Sequence, residues 1–174
     1  MKRNISLWQF LGFGITSLGG TLLHFLYDLT GESTISALIS GVNESTWEHM
    51  KLLFFPLFVF AIVQSFFFKE YDNFWCVKLS GTLFGLISIP VLFYTYNGAF
   101  GKSPDWLNIT IFFISAAIAF VVETKLFKKE KPNCKKTKLA FIALCAIAVL
   151  FFVFTFAPPQ IPLFQDPLTH SYGI

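Results

Sequence analysis

The sequence predicts an all-α integral membrane protein with five transmembrane helices, and two observations carry that prediction. First, 55% of the 174 residues are hydrophobic and 13% are charged, and the mean hydropathy of +0.64 lies well above the range of soluble domains. Second, the chain contains apolar segments of about 20 residues, the length that crosses a bilayer as a helix. These segments use up the chain, so residues 1–174 are expected to form a single membrane domain.

The first span follows the basic residues Lys2 and Arg3. A signal peptide is the alternative interpretation, but the apolar run is longer than an h-region and no small-residue cleavage site interrupts it. Small and polar residues recur in this span at steps of three and four: Gly14, Ser17, Thr21, His24 and Asp28. The spacing places them on one helical face, which is expected to contact other helices because polar groups need partners in lipid.

Proline, glycine and polar interruptions mark the remaining spans. Residues 31–41 are too few to cross the membrane, and they are predicted to form a connector or a short interfacial or re-entrant helix. Pro56 predicts a kink in the second span, while Gly81 and Gly85 give the third span a small-xxx-small face for helix packing. The five spans are expected at about residues 7–29, 45–68, 74–96, 106–127 and 139–157, followed by a proline-rich tail at 158–174.

The basic residues predict the orientation. Eleven of the 13 lysines and arginines lie at the amino terminus or on the second and fourth connections, and only Lys51 and Lys102 lie on the other side. The positive-inside rule therefore places the amino terminus inside and the carboxyl terminus outside a bacterial cytoplasmic (inner) membrane. The eleven are Lys2, Arg3, Lys69, Lys78 and the seven lysines of residues 125–138. We interpret that lysine run as a loop that sets topology, so no nucleic-acid partner is expected.

The cysteines predict neither a disulfide nor a metal site. Cys76 and Cys134 fall on the predicted cytoplasmic side, where thiols stay reduced, and Cys145 lies within the last span. Their spacing matches no cysteine-based metal motif.

The strongest candidate site lies at the start of the second span. Glu44, Glu48 and Lys51 follow one another at steps of four and three and so share a helical stripe, with His49 about 100° around the helix from Glu48. Ionisable groups that enter an apolar segment are costly, and by default they face a bundle interior or a wet cavity. We therefore predict Glu44, Glu48, His49 and Lys51 as catalytic residues.

The predicted topology also places all three histidines on the outer side, each near a carboxylate. This combination is typical of a divalent metal site, and Zn²⁺ suits a nitrogen-rich open site. Such an ion would activate a water for hydrolysis, with a carboxylate as general base. The motif is weak, because no H-E-x-x-H is present. The candidate ligands are His24, His49, Asp28, Asp166 and His170.

Each of these residues also has a structural interpretation. Ser45 and Glu48 fit a capping box at the start of the second helix, and Asp166 before Pro167 fits an N-cap that opens a short helix in the tail. Lys51 fits a role as partner of Glu48, Glu44 or Asp28. The sequence leaves both interpretations open for any single residue.

Three segments carry a resemblance to a known family: G-T-L-L-H-F-L-Y at 20–27, V-N-E-S-T-W-E-H-M-K at 42–51, and the tail from P-P-Q-I-P-L-F-Q-D-P to the terminal Y-G-I. The chain resembles, over essentially its whole length, a family of small uncharacterised multi-pass membrane proteins of clostridia-like bacteria, a domain of unknown function. The resemblance implies a topology but no activity. It favours His24, Glu44, Glu48 and His49 as the core of the site.

Three functions follow as hypotheses. The first is a membrane hydrolase or transferase, with or without a metal, acting on a lipid-linked or small-molecule substrate. The second is a small-molecule or ion binding subunit of a transporter, and the third is a structural or assembly partner. The tail, which holds Phe164, Asp166 and Tyr172, is expected to fold back over the outer face near Glu48 and His49, because it carries enough apolar surface to dock. The bilayer is the one partner that all three share, and the oligomeric state is left open.

Overall fold

The structure, a computed structural model, describes residues 4–129, 134 and 136–174. Over this part of the chain it is helical and contains no strand, apart from an isolated bridge between Gln165 and Tyr172. Five helices in the described residues, α1, α3, α4, α5 and α6, are long and apolar enough to cross a membrane, which confirms the predicted number. The helices are α1 Ile5–Leu29, α2 Thr34–Ala37, α3 Thr46–Ser65, α4 Phe74–Phe100, α5 Asp105–Phe127 and α6 Thr137–Phe156, and a 3₁₀ turn follows at Pro162–Phe164.

Local sequence explains where these helices begin and end. The Asn4 side chain caps α1 by accepting from the amide of Leu7 at 3.1 Å, and Ser45 caps α3 by accepting from the amide of Glu48 at 3.3 Å. Only half of the predicted capping box is therefore formed, because the Glu48 carboxylate turns to other partners. The predicted connector at residues 31–41 contains the four-residue helix α2.

Glycines set the closest helix contacts. A Cβ at Gly81 of α4 would lie 2.9 Å from the backbone oxygen of Ala119 in α5, and one at Gly85 would lie 3.0 Å from the Ala119 side chain. The small-xxx-small face predicted for the third span is thus the seam between α4 and α5.

The buried face of α1 differs from the predicted one. Gly14, Thr21 and Asp28 of the predicted face are exposed and only its Ser17 is buried. The buried residues of α1 are Gln9, Gly12, Thr16, Ser17, Gly20 and Tyr27. The reason is steric: Gly12 and Gly20 are the positions against which phenylalanine rings pack, and a Cβ there would lie 2.5 Å or less from a ring atom. Regular spacing alone does not reveal which glycine meets a ring.

The tail is held by aromatic and polar contacts. Phe164 is 5% exposed, and its ring centroid lies 4.7 Å from that of Trp47 in α3. Oδ1 of Asp166 accepts from the amides of Leu168 at 2.6 Å and Thr169 at 3.2 Å. Asp166 therefore caps a turn rather than the predicted short helix, because the chain after Pro167 does not continue helically.

Two expectations about the opposite end of the bundle were wrong. Cys76 and Cys134 form a disulfide, with Cα atoms 6.4 Å apart, because the fold brings the start of α4 beside the residues that precede α6. Lys78 is not on the second connection but inside α4, where it is fully buried. Without Lys78, ten of the eleven basic residues that the sequence assigns to that side remain, and the orientation stays a prediction. We call this side of the bundle the lysine end and the other the cavity end.

Candidate functional site: a histidine and carboxylate cavity

A cavity of about 840 Å³ opens at the cavity end of the bundle. Its walls come from the last turns of α1 and α4 and the first turns of α3 and α5, together with the tail. The lining includes His24, Phe25, Glu44, His49, Phe93, Tyr94, Asn97, Lys102, Asn108, Phe112, Phe113, Pro167 and Leu168. The volume is that of a site for a drug-sized molecule.

One wall carries two imidazoles that share a carboxylate. Nε2 of His24 lies 3.7 Å from Oε1 of Glu44, and Nε2 of His49 lies 3.5 Å from Oε2 of the same side chain. The ring centroids of the two histidines are 6.0 Å apart. Glu44 is 42% exposed and the histidines are 33% and 20% exposed, so all three side chains are accessible from the cavity.

The backbone fixes the proton of His49. Nδ1 of His49 lies 3.0 Å from the carbonyl oxygen of Ser45, one helical turn earlier. Because a carbonyl oxygen only accepts, Nδ1 carries a proton and donates it. Nε2 is therefore a lone-pair acceptor in the neutral ring and a donor to Glu44 in the protonated ring. In the neutral ring the Nε2 lone pair faces a carboxylate; a water or a ligand amine that bridges the two acceptors is able to donate to both, and a ligand hydroxyl to one of them.

The opposite wall of the cavity carries the amide groups of two asparagines and a serine hydroxyl instead of imidazoles and a carboxylate. Oδ1 of Asn97, near the end of α4, accepts from the amide of Ser103 at 2.7 Å, and the Ser103 hydroxyl donates to Oδ1 of Asn108 at 2.8 Å. Lys102 lies beside them and is exposed. We did not predict these residues, although the asparagines stand out as uncharged polar groups at the ends of apolar spans.

Between these walls the lining is aromatic and open to the side. Phe25 and Ile109 are 53% and 59% exposed, and Tyr94 and Phe113 are 40% and 37% exposed. The cavity therefore presents exposed aromatic and apolar side chains between two polar walls.

Glu48 and Lys51, two of the predicted catalytic residues, do not line this cavity. Lys51 is 0% exposed; its Nζ lies 2.5 Å from Oε2 of Glu48 and donates to the carbonyl of Ala37 at 2.8 Å and to the hydroxyl of Thr155 at 2.9 Å. Oε2 of Glu48 also accepts from the amide of Val42 at 3.2 Å. We call this pair the clamp, because it ties α3 to α2, to the connection before α3 and to α6.

The remaining predicted metal ligands do not line the cavity with His24 and His49. Asp28 and His170 are exposed and do not line the cavity. Asp166 is buried, and its Oδ2 accepts from the amide of Glu44 at 3.3 Å. In the part of the chain that the structure describes, no three histidine, cysteine, aspartate or glutamate side chains are grouped so that they could hold a metal ion.

Hydrogen bonding sets the charge state of Asp166. Burial raises the pKa of its carboxyl, but the backbone amides of Leu168, Thr169 and Glu44 stabilise the carboxylate and outweigh burial, so the pKa is lowered overall. Asp166 is therefore a charged anchor between the tail and the start of α3 at neutral pH.

A second ionisable pair escaped the sequence analysis. Lys78 of α4 and Glu123 of α5 are both fully buried, and Nζ lies 2.6 Å from Oε2. Both residues fall inside predicted spans, so the criterion that singled out Glu44 to Lys51, ionisable groups in an apolar segment, would have identified them too.

Comparison with known proteins identifies a family for this chain but no activity. No curated protein and no solved structure matches the chain. A family model described as "Family of unknown function (DUF6512)" matches residues 1–174, and the chain therefore belongs to this family of unknown function.

Proposed function

We propose that this multi-pass membrane protein binds an amphipathic small molecule in the cavity, as the small-molecule binding subunit of a larger system. The observation that carries the proposal is the shape of the lining: His24, Glu44 and His49 at one end and an aromatic flank that is open to the side. A ligand with a polar head and an apolar chain matches both parts, and it would enter from the bilayer.

The site is best matched by a ligand whose head group donates hydrogen bonds. Nε2 of neutral His49 and the carboxylate of Glu44 both accept, and they lie 3.5 Å apart. A hydroxyl or a primary amine placed between them donates to at least one of the two. Lys102 and Asn108 on the opposite wall supply donors for a second polar group on the ligand.

The tail serves as a lid in this proposal. Pro167 and Leu168 line the cavity, and Asp166 links the tail to the amide of Glu44. The predicted orientation places this lid and the cavity on the outer side of the membrane. Ligand entry from the side then requires no opening of the tail, whereas release to the outer aqueous phase does.

Photo-crosslinking with a long-chain alcohol and a long-chain amine, each carrying a diazirine on the chain, tests the proposal in lipid nanodiscs. Bound probe should label Phe93 and Phe112 in preference to Val59 and Ile142, which are each 58% exposed on the outside of the bundle. Glu44→Gln should lower labelling of the cavity by about tenfold, because it removes a charged hydrogen-bond acceptor.

The matched control is Asp28→Asn, which removes a carboxylate at the same end of α1 from an exposed position. It should leave labelling unchanged. Equal labelling of cavity and outer positions, unaffected by Glu44→Gln, would overturn the proposal.

A second candidate is a hydrolase or transferase acting on a lipid-linked substrate, and the orientation of His49 favours it. With Nδ1 held by the Ser45 carbonyl, Nε2 is placed to accept a proton from a water, as a general base does, while Glu44 stabilises the imidazolium that forms. Release of a fluorescent leaving group from long-chain carboxylate or phosphate esters, abolished by His49→Ala, would establish this activity. Stoichiometric zinc in the wild type, lost in His24→Ala and His49→Ala, would establish a metal-dependent form.

A further inference from the structure

At the lysine end of the bundle, four helices each contribute a buried polar side chain. Gln9 of α1 is 2% exposed, and Gln64 of α3, Lys78 of α4 and Glu123 of α5 are each 0% exposed. None of the four lines the cavity at the other end. Ionisable groups buried at membrane depth are costly, and they often mark ion and proton pathways.

The centre of the cluster is the ion pair of Lys78 and Glu123. Three aromatic rings surround the Lys78 ammonium, with centroids 5.3 Å from Nζ for Phe60, 5.8 Å for Phe74 and 5.6 Å for Phe120. Ring faces attract a cation. The rings therefore help to keep Lys78 charged whether or not Glu123 is.

Polar atoms around this pair lack partners. Within the described residues, Oε1 of Glu123 and both polar side-chain atoms of Gln9 and of Gln64 have no hydrogen bond of standard geometry, although the Gln9 amide approaches the Glu123 carboxylate. Nearly all buried polar groups in proteins are hydrogen-bonded. An amide carries both a donor and an acceptor, so Gln9 is able to pair with a carboxylate through its N–H and with a carboxylic acid through its C=O.

Packing limits what this cluster binds. A Cβ at Gly81 would lie 2.4 Å from Cγ and 2.9 Å from Oε1 of Glu123, so α4 packs directly against the carboxylate. The Lys78 ammonium occupies the other oxygen and repels a second metal-sized cation. A proton adds almost no volume. It converts Oε1 of Glu123 into a hydroxyl, which is able to donate to the carbonyl oxygen of the Gln9 amide.

We propose that Gln9, Lys78 and Glu123 form a membrane-embedded proton-binding site. A proton from the aqueous phase at the lysine end bonds to Oε1 of Glu123, the carboxylate becomes a carboxylic acid, and the pair changes from neutral to singly positive. Release returns the proton to the same solution. Glu123 lies four residues before the end of α5 at Phe127, about 6 Å along the helix axis, so the path from this solution is short.

The groups that face Glu123 come from every neighbouring helix. Lys78 is the charged group on α4, α1 contributes the neutral amide of Gln9, and α3 contributes the Phe60 ring that lies against Lys78. Tyr71, on the connection between α3 and α4, contacts Phe127 at the edge of the cluster. Its phenol ionises far above neutral pH, because burial and the charge of Glu70 raise its pKa further, so it does not compete for the proton.

Infrared difference spectroscopy of the purified protein, titrated from alkaline to acidic pH, tests the proposal. The wild type should gain a carboxylic acid C=O band that shifts in heavy water, and Glu123→Gln should remove that band. Glu48→Gln is the matched control, because Glu48 is another glutamate that is buried and paired with a lysine; it should leave the band in place. If the wild type gains no carboxylic acid band, or gains one that Glu123→Gln does not remove, Lys78 and Glu123 form a static ion pair and the proposal is overturned.

A second variant keeps the test decisive if Glu123→Gln does not fold. Gln9→Leu removes the amide that adapts to both protonation states but leaves the ion pair. The hydrogen bond from Gln9 to the charged carboxylate is stronger than the one to the neutral acid, so its loss should favour the acid. The midpoint of the band should move to a proton concentration about tenfold lower. An unchanged midpoint would contradict the proposed site.

Discussion

Within eight residues of one segment, the protein builds two ionic clusters of opposite character. The clamp of Glu48 and Lys51 is buried, and each of its charged groups has at least two further hydrogen-bonding partners. Glu44 and His49, one turn away on α3 or just before it, are partly exposed, lie 3.5 Å apart and line the open cavity. Buried charges with every partner in place hold a fold together, whereas accessible charges with loose contacts are available to a ligand.

The ion pair of Lys78 and Glu123 at the lysine end is a third ionic cluster, and it differs from the clamp in its hydrogen bonding. Lys78 and Glu123 are as deeply buried as the clamp, but Oε1 of Glu123 lacks the partners that Glu48 finds in the Val42 amide and Thr155. Equal burial therefore hides a difference in hydrogen bonding. That difference is the reason for assigning a structural role to one pair and proton binding to the other.

The largest effect is expected where the clamp is broken on one side. Lys51→Met leaves the Glu48 charge buried without its cation, and it should lower the free energy of unfolding by about 3–5 kcal/mol. The double variant Lys51→Met with Glu48→Gln should recover much of that loss, because no unpaired charge remains. Thermal unfolding in detergent measures both, and Lys102→Met, at an exposed lysine, is the control. A double variant as unstable as the single one would mean that the clamp does not act as a pair.

A smaller effect is expected from closing the space beside Glu123. In Gly81→Ala the new Cβ would meet the Glu123 side chain and the backbone of Ala119, so the seam between α4 and α5 must shift, at a cost of about 1–3 kcal/mol. Gly98→Ala, on the same helix with nothing within 4 Å of its Cβ, should be neutral or slightly stabilising. Equal thermal stability of the two variants would show that the carboxylate is not packed against Gly81.

Removing the Asp166 anchor of the tail should have a smaller effect on stability still, and that effect should depend on pH. Asp166→Asn keeps an acceptor but loses the charge, and it should loosen the tail by about 1 kcal/mol, as for other capping residues. Because the folded-state pKa of Asp166 is lowered, its contribution is complete above the unfolded-state pKa and disappears as the pH falls through the folded-state value. Hydrogen exchange of the Leu168 and Thr169 amides measures the loosening. Amides that are equally protected in the wild type and the variant at neutral pH would rule the anchor out.

The sequence predicted the parts of this molecule that depend on local properties. Apolar length predicts five spans, Ser45 predicts a helix start, and Gly81 and Gly85 predict a helix seam, because each depends on residues close together in the chain.

Partners that are distant in the chain could not be predicted in this way. Lys51 finds Thr155 at a sequence separation of 104 residues, and Lys78 finds Glu123 at a separation of 45 residues. Without these partners, the sequence placed Lys51 in the site, and it counted Lys78 with the basic residues of a connection although position 78 falls inside a predicted span. The residues of the cavity wall from α4 and α5, such as Asn97 and Asn108, were missed for the same reason.

The central claim is that Glu44 belongs to a binding site and Glu48 to the fold, and one matched pair of variants tests it most directly. Glu44→Gln and Glu48→Gln make the same chemical change four residues apart. Crosslinking of the long-chain probe and the unfolding temperature would be measured on both proteins. The account predicts that Glu44→Gln unfolds at the wild-type temperature but loses cavity labelling, whereas Glu48→Gln unfolds at a lower temperature and, while folded, is labelled like the wild type. Loss of labelling in folded Glu48→Gln, with normal labelling in Glu44→Gln, would contradict it.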